Sequence, residues 1–117
     1  MARLSTHVLD IRAGRPAASV AIRLFRLEGE ARHLLAETRT NADGRTDQPL
    51  LASEAGQPGM YELEFAIGDY FRAADTPLSE PAFLDIVPIR FAMAEQNGHY
   101  HVPLLCSPWA YSTYRGS

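Results

Sequence analysis

The chain has 117 residues, enough for one domain built on one core (1–117) but not for a catalytic domain beside a separate substrate domain. Lysine and arginine number 11 against 14 acidic residues, a net charge of −3, which argues against a nucleic-acid partner because phosphate binding needs a basic face. A composition of 46% hydrophobic and 21% charged residues is too apolar for disorder, and no apolar run approaches the ~18–20 residues of a membrane span.

Period-two alternation runs through the sequence and long helical stripes are missing. Residues 4–11 read as a first strand, with Leu4, Thr6 and Val8 on one face and Ser5, His7, Leu9 and Ile11 on the other. Ala13-Gly14-Arg15-Pro16 breaks it, and a second strand follows from Val20 to about Glu28. Gly29-Glu30 turns into a third strand near 33–40, and Asn41-Ala42-Asp43-Gly44 is a turn cluster of residues that tolerate positive φ or cap their own backbone. A short segment over 47–51 precedes a loop through Gly56, Pro58 and Gly59, and 61–67 is the clearest half-buried strand. Residues 69–75 are predicted to form one or two helical turns capped by Asp69. Three further strands are expected at 83–95, 99–106 and 109–115, with Pro88 marking the first as an edge strand or a bulge. About eight short strands and one short helix point to an all-β sandwich or small barrel.

Four histidines are the first candidates for chemistry. His99 and His101 lie two apart on a predicted strand and share a face, while Tyr100, Val102 and Leu104 read as core. A like-facing histidine pair suits acid–base work or a metal, and a third histidine could complete an open zinc site. No third ligand stands at a diagnostic spacing, and His33 reads as a surface residue. Arg45 follows the 41–44 turn, where a guanidinium either sits solvated or forks onto an anionic or carbonyl-rich heterocycle. Cys106, the only cysteine, has no neighbouring base and reads as core filler. One cysteine forms no internal disulfide, and the opening MARLSTHVLD lacks the apolar stretch and cleavage site of a secretory signal, so a cytoplasmic protein is expected. The chain runs in a strand pattern up to Tyr114-Arg115-Gly116-Ser117, which suggests a packed terminus at a site or a subunit contact.

The blocks Ser5-Thr6-His7-Val8-Leu9-Asp10, Thr40-Asn41-Ala42-Asp43-Gly44-Arg45, His99-Tyr100-His101-Val102-Pro103-Leu104-Leu105 and the closing Tyr114-Arg115-Gly116-Ser117 resemble the 5-hydroxyisourate hydrolases, the transthyretin-like enzymes of urate degradation. The similarity covers essentially the whole chain, in order. Cys106, where an aliphatic residue is usual, and Trp109-Ala110, where another aromatic and a small polar residue are commoner, are its departures. The resemblance implies a transthyretin-like β-sandwich of two four-stranded sheets with one short helix. It also implies a homotetramer, a dimer of dimers whose sites open between subunits, with no metal or organic cofactor. The implied activity is hydrolysis of a cyclic amide of 5-hydroxyisourate, giving 2-oxo-4-hydroxy-4-carboxy-5-ureidoimidazoline.

Carried over by position, the catalytic residues are His7, Arg45, His101 and Ser117, with His7, Arg45 and Tyr114 binding substrate. In that scheme His7 and His101 activate water and shuttle protons, Arg45 orients the substrate and steadies charge on oxygen, and Tyr114 and Ser117 position substrate or water. His99 lines the mouth of the site or is merely exposed. Two other readings stay open at this stage: a transthyretin-like small-molecule binding protein without catalysis, and a three-histidine zinc hydrolase.

Overall fold

In a computed structural model, residues 3–51 and 57–116 are described. Ten short strands and one helix form β1 (Arg3–Ser5), β2 (Val8–Asp10), β3 (Arg15–Pro16), β4 (Ala21–Glu28), β5 (Ala31–Arg39), β6 (Gly59–Ala66), α1 (Ile67–Ala73), β7 (Ile86–Met93), β8 (His99–His101), β9 (Leu104–Cys106) and β10 (Tyr111–Thr113). They build two four-stranded sheets, ordered β10-β9-β2-β3 and β5-β4-β6-β7, with the pair β1-β8 extending the first. The expected sandwich is therefore present.

The core lies between the sheets. Val8, Leu104 and Cys106 from one layer face Ile22, Leu24, Tyr61, Leu63, Phe65 and Val87 from the other, all at 1% exposure or less. Each large apolar side chain so buried contributes about 1.5–3 kcal/mol. Ile67 and Phe71 of α1 close one end.

The predicted strands 4–11 and 99–106 are each interrupted. Thr6-His7 separates β1 from β2, and Val102-Pro103 separates β8 from β9. The two breaks face each other because Pro103 has no N–H to offer the ladder. Local bonds replace it: Thr6 Oγ1 donates to the Val102 carbonyl at 2.7 Å and Leu104 N–H to the His7 carbonyl at 2.9 Å. Alternation survives the first break, since Leu4, Thr6, Val8 and Asp10 are buried while Ser5, His7 and Leu9 are half-buried.

Other boundaries also shift. The 47–51 segment forms no strand, and the loop expected through Gly56 falls partly in 52–56, outside the described residues. The helix starts at Ile67, with Ala66 in the cap position and no side-chain cap. Asp69 instead sits in the first turn and pairs with Arg72 at 2.8 Å. The helix begins early because Gly68 N–H bonds the Asp85 carbonyl at 3.0 Å, which also holds the approach to β7 out of the sheet, so that strand begins at Ile86 rather than near 83. Pro88 lies in β7, the edge strand, where a missing donor costs nothing. The 109–115 strand contracts to β10, because Ser107–Ala110 is spent on a turn closed by Ser107 N–H to the Ala110 carbonyl at 2.9 Å.

Two features anchor the region carrying the candidate histidines. Buried Asp10 ends β2: its Oδ1 accepts from the N–H groups of Arg12 and Ala13 at 3.0 Å each, and its Oδ2 accepts from the Tyr70 hydroxyl of α1 at 2.8 Å. Burial, reinforced by the Asp10 carboxylate, pushes the Tyr70 phenol up to about 12. The 41–45 turn is closed by Asn41, whose Oδ1 accepts from Asp43 N–H at 2.9 Å and Arg45 N–H at 3.2 Å. Gly44, at φ 74°, lies so close to β2 that a Cβ there would press into the Val8 carbonyl oxygen.

Tyr70→Phe removes the link between helix and sheet, and denaturant unfolding should show a loss of about 1–2 kcal/mol. Gly44→Ala adds left-handed strain to a backbone clash and should lower stability by at least about 1–2 kcal/mol. An unchanged unfolding midpoint in either variant contradicts the corresponding anchor.

Candidate active site

The N-terminal strand and the His99–His101 strand run parallel with Arg3, Leu4 and Ser5 opposite His99, Tyr100 and His101. That register sets Ser5, His7, His101 and Leu105 on the less buried face of the first sheet and drives Leu4 and Tyr100 into the core. Ser5 Oγ lies 2.8 Å from His101 Nδ1. On the opposite edge of the ring, Gly116 forms an antiparallel bridge with His101 and its N–H donates to the His101 carbonyl at 2.7 Å. A Cβ on Gly116 would stand 2.6 Å from His101 Cδ2, so only glycine lets the C-terminal segment lie this close.

His7 follows β1 in the break before β2, with its backbone carbonyl held by Leu104 N–H. The 41–45 turn packs against it, since a Cβ on Gly44 would come within 3.3 Å of His7 Cδ2. The same turn carries Arg45, whose guanidinium is exposed and forms no ion pair among the described residues. His101 is held below the ordinary imidazole range, first by partial burial, then by the charges of Arg45, His7 and His99. Sequence positions 7, 45, 99 and 101 thus meet electrostatically, with His101 neutral at pH 7 beside a free guanidinium.

The remaining candidates fall elsewhere. His33 is exposed on β5 of the second sheet, opposite Arg26. His99 is exposed, and its carbonyl accepts from Arg115 at 3.5 Å. Arg115 of the closing block lies over the Tyr100 ring at 4.2 Å and pairs with Glu95 at 3.7 Å. Tyr114 is exposed and lines a cleft of about 180 Å³ with Tyr100 and the Ile89–Ala92 stretch of β7. Ser117 lies outside the described residues. Cys106 is buried, its thiol pushed up to about 12 by burial and by Asp10, which fits a core filler. No three metal-ligating side chains converge among the described residues, which leaves the zinc reading without its donor set.

Sequence reasoning missed Ser5. Its only signal is a place on the His7 face, because its contact depends on pairing with a strand 96 residues away. The close packing of Gly44 and Gly116 against the two histidines was likewise hidden, although both glycines stand beside an arginine in the quoted blocks.

Residues 4–116 match the model of the HIUase/Transthyretin family. A relative from Ralstonia nicotianae, named 5-hydroxyisourate hydrolase, is 57% identical over 117 residues and the match covers all of both chains. Among solved structures, 5-hydroxyisourate hydrolase of Klebsiella pneumoniae superposes with a TM-score of 0.81 at 38% identity, over 100% of this chain and 94% of that one. An (S)-allantoin synthase superposes with a TM-score of 0.93 at 44% identity, over 99% of this chain but only 44% of that longer one. With nearly its whole length matched by one family model and by full-length relatives, the chain belongs to the HIUase/Transthyretin family.

Proposed function

We propose that this protein is a 5-hydroxyisourate hydrolase, opening the ring at a cyclic amide to give 2-oxo-4-hydroxy-4-carboxy-5-ureidoimidazoline. The observation that carries the reading is a neutral His101 fixed on both edges and acted on by Arg45 and His7. Full-length relatives named for this activity agree with it.

Hydrolysis of a cyclic amide needs a nucleophilic water, a polarised carbonyl and a proton for the departing nitrogen. His7 and His101 carry the proton transfers: one imidazole takes a proton from water as its oxygen bonds to the carbonyl carbon. When the C–N bond breaks, the nitrogen receives a proton in return. Arg45, with no carboxylate partner among the described residues, orients the substrate and stabilises the developing oxyanion. Tyr114 and Ser117 keep the positioning roles that family membership implies.

The functional unit in this reading is a homotetramer, a dimer of dimers of one-domain subunits. Arg45 and His99 are exposed in a single protomer, so a neighbouring subunit is needed to close the site and exclude water. A cytoplasmic location fits a lone, buried thiol that needs no oxidising compartment. A carrier without catalysis would share this fold, but would gain nothing from a neutral histidine beside an unpaired guanidinium.

His101→Asn should lower kcat about 10²–10⁴-fold while the assembly stays intact by size-exclusion chromatography; full activity would contradict the proton-transfer role. The lowered His101 pKa also has a sign. The ring stays neutral, and competent as a base, below the pH at which a free imidazole would protonate. The acid limb of kcat/KM should therefore lie below the ordinary value of 6.5, and a limb above it would contradict this placement.

A further inference from the structure

We infer that Ser5 is a positioning residue for the hydrolytic step: its hydroxyl holds the Nδ1 edge of His101 so that Nε2 is the nitrogen offered to water and substrate. This rests on the reading of His101 as a proton-transfer group.

Among the described residues, the geometry leaves the ring one free edge. Ser5 is the direct partner of His101 in the parallel β1–β8 pair, and Val102 N–H locks that register by donating to the Ser5 carbonyl at 2.9 Å. Oγ then meets Nδ1 at 2.8 Å. The Cδ2 side is closed by the Gly116 backbone. Nε2, on the remaining side, is where chemistry can occur.

A hydroxyl suits this place because it both donates and accepts. With Nε2 bare, Nδ1–H donates to Oγ. After Nε2 takes a proton from water, the imidazolium still donates through Nδ1–H. In the other neutral tautomer, the serine donates instead. Ser5 gains and loses no proton, and the proton taken from water is the one passed to the departing nitrogen. A carboxylate at this position would favour the imidazolium, and a backbone carbonyl would serve only the states with Nδ1–H. Among the described residues, the ionisable groups that act on His101 are all bases: Arg45 on the 41–45 turn, His7 at the β1–β2 break and His99 on its own strand. Arg115 of the C-terminal segment is engaged by Glu95 and Tyr100. An uncharged anchor leaves that balance in favour of neutral imidazole.

The test assays wild type, Ser5→Ala, Ser5→Thr, Ser5→Asp and His101→Asn on freshly generated 5-hydroxyisourate across pH, with thermal unfolding of each. Ser5→Ala should lower kcat about 10–100-fold with KM little changed, as expected for a misplaced reacting group. Ser5→Thr, which keeps the hydroxyl, should recover most of the loss. Ser5→Asp should move the acid limb of kcat/KM to higher pH, because a carboxylate on Nδ1 stabilises the imidazolium. A folded Ser5→Ala enzyme with wild-type kcat, or a Ser5→Asp enzyme with an unmoved limb, overturns the proposal. Should Ser5→Ala fail to fold, the Thr rescue and the Asp shift decide it. A wild-type rate in His101→Asn would instead defeat the underlying reading of His101, whatever the Ser5 variants show.

Discussion

The parallel register between the two ends of the chain is the constraint on which the site depends. Ser5 stands opposite His101 and Val8 opposite Leu104, so one set of pairings fixes both candidate histidines and the core beneath them. Side chains alternate with period two, so a slip of one residue would bury His101 and expose Tyr100. The pairing is expensive in chain entropy because its partners are 96 residues apart, and the apolar layer of Val8, Tyr100 and Leu104 supplies the offset. The core thus sets the register, and the register sets the chemistry.

Charge is distributed in a way that net charge hides. On the second sheet, Arg23 and Arg32 pair with Glu64, and Arg32 and Arg90 with Glu62. Burial would raise the Glu64 carboxyl, but the Arg32 and Arg23 guanidiniums outweigh it and hold it low. Arg32 and Arg23 also cover Phe25 at 4.1 and 5.2 Å. These cations are occupied. Arg45, like Arg3, Arg12, Arg15 and Arg39, has no carboxylate partner among the described residues, and its charge helps hold the His101 imidazole below its ordinary range. An overall charge of −3 therefore coexists with a site able to receive an electron-rich heterocycle.

Much of this was legible in the sequence, for identifiable reasons. Alternation in 4–11 placed Ser5 and His7 on one face, and the Asn-Ala-Asp-Gly cluster announced the turn that carries Arg45, because both signals are local. Pro88 left an edge strand or a bulge open for β7, and the sheet order makes it an edge strand. What stayed hidden depends on distant partners. The Ser5–His101 bond needs the register, the early start of α1 needs Asp85, and the placement of Arg115 needs Glu95 and the Tyr100 ring. Pro103 showed in the sequence, yet the break it imposes on the facing strand emerges only when the two strands are paired.

The most direct test of the central claim is to generate 5-hydroxyisourate from urate in situ and follow its ultraviolet decay with and without the protein. Decay faster than the spontaneous rate and proportional to protein concentration is expected. Decay at the spontaneous rate would contradict it and leave a binding protein on the same fold.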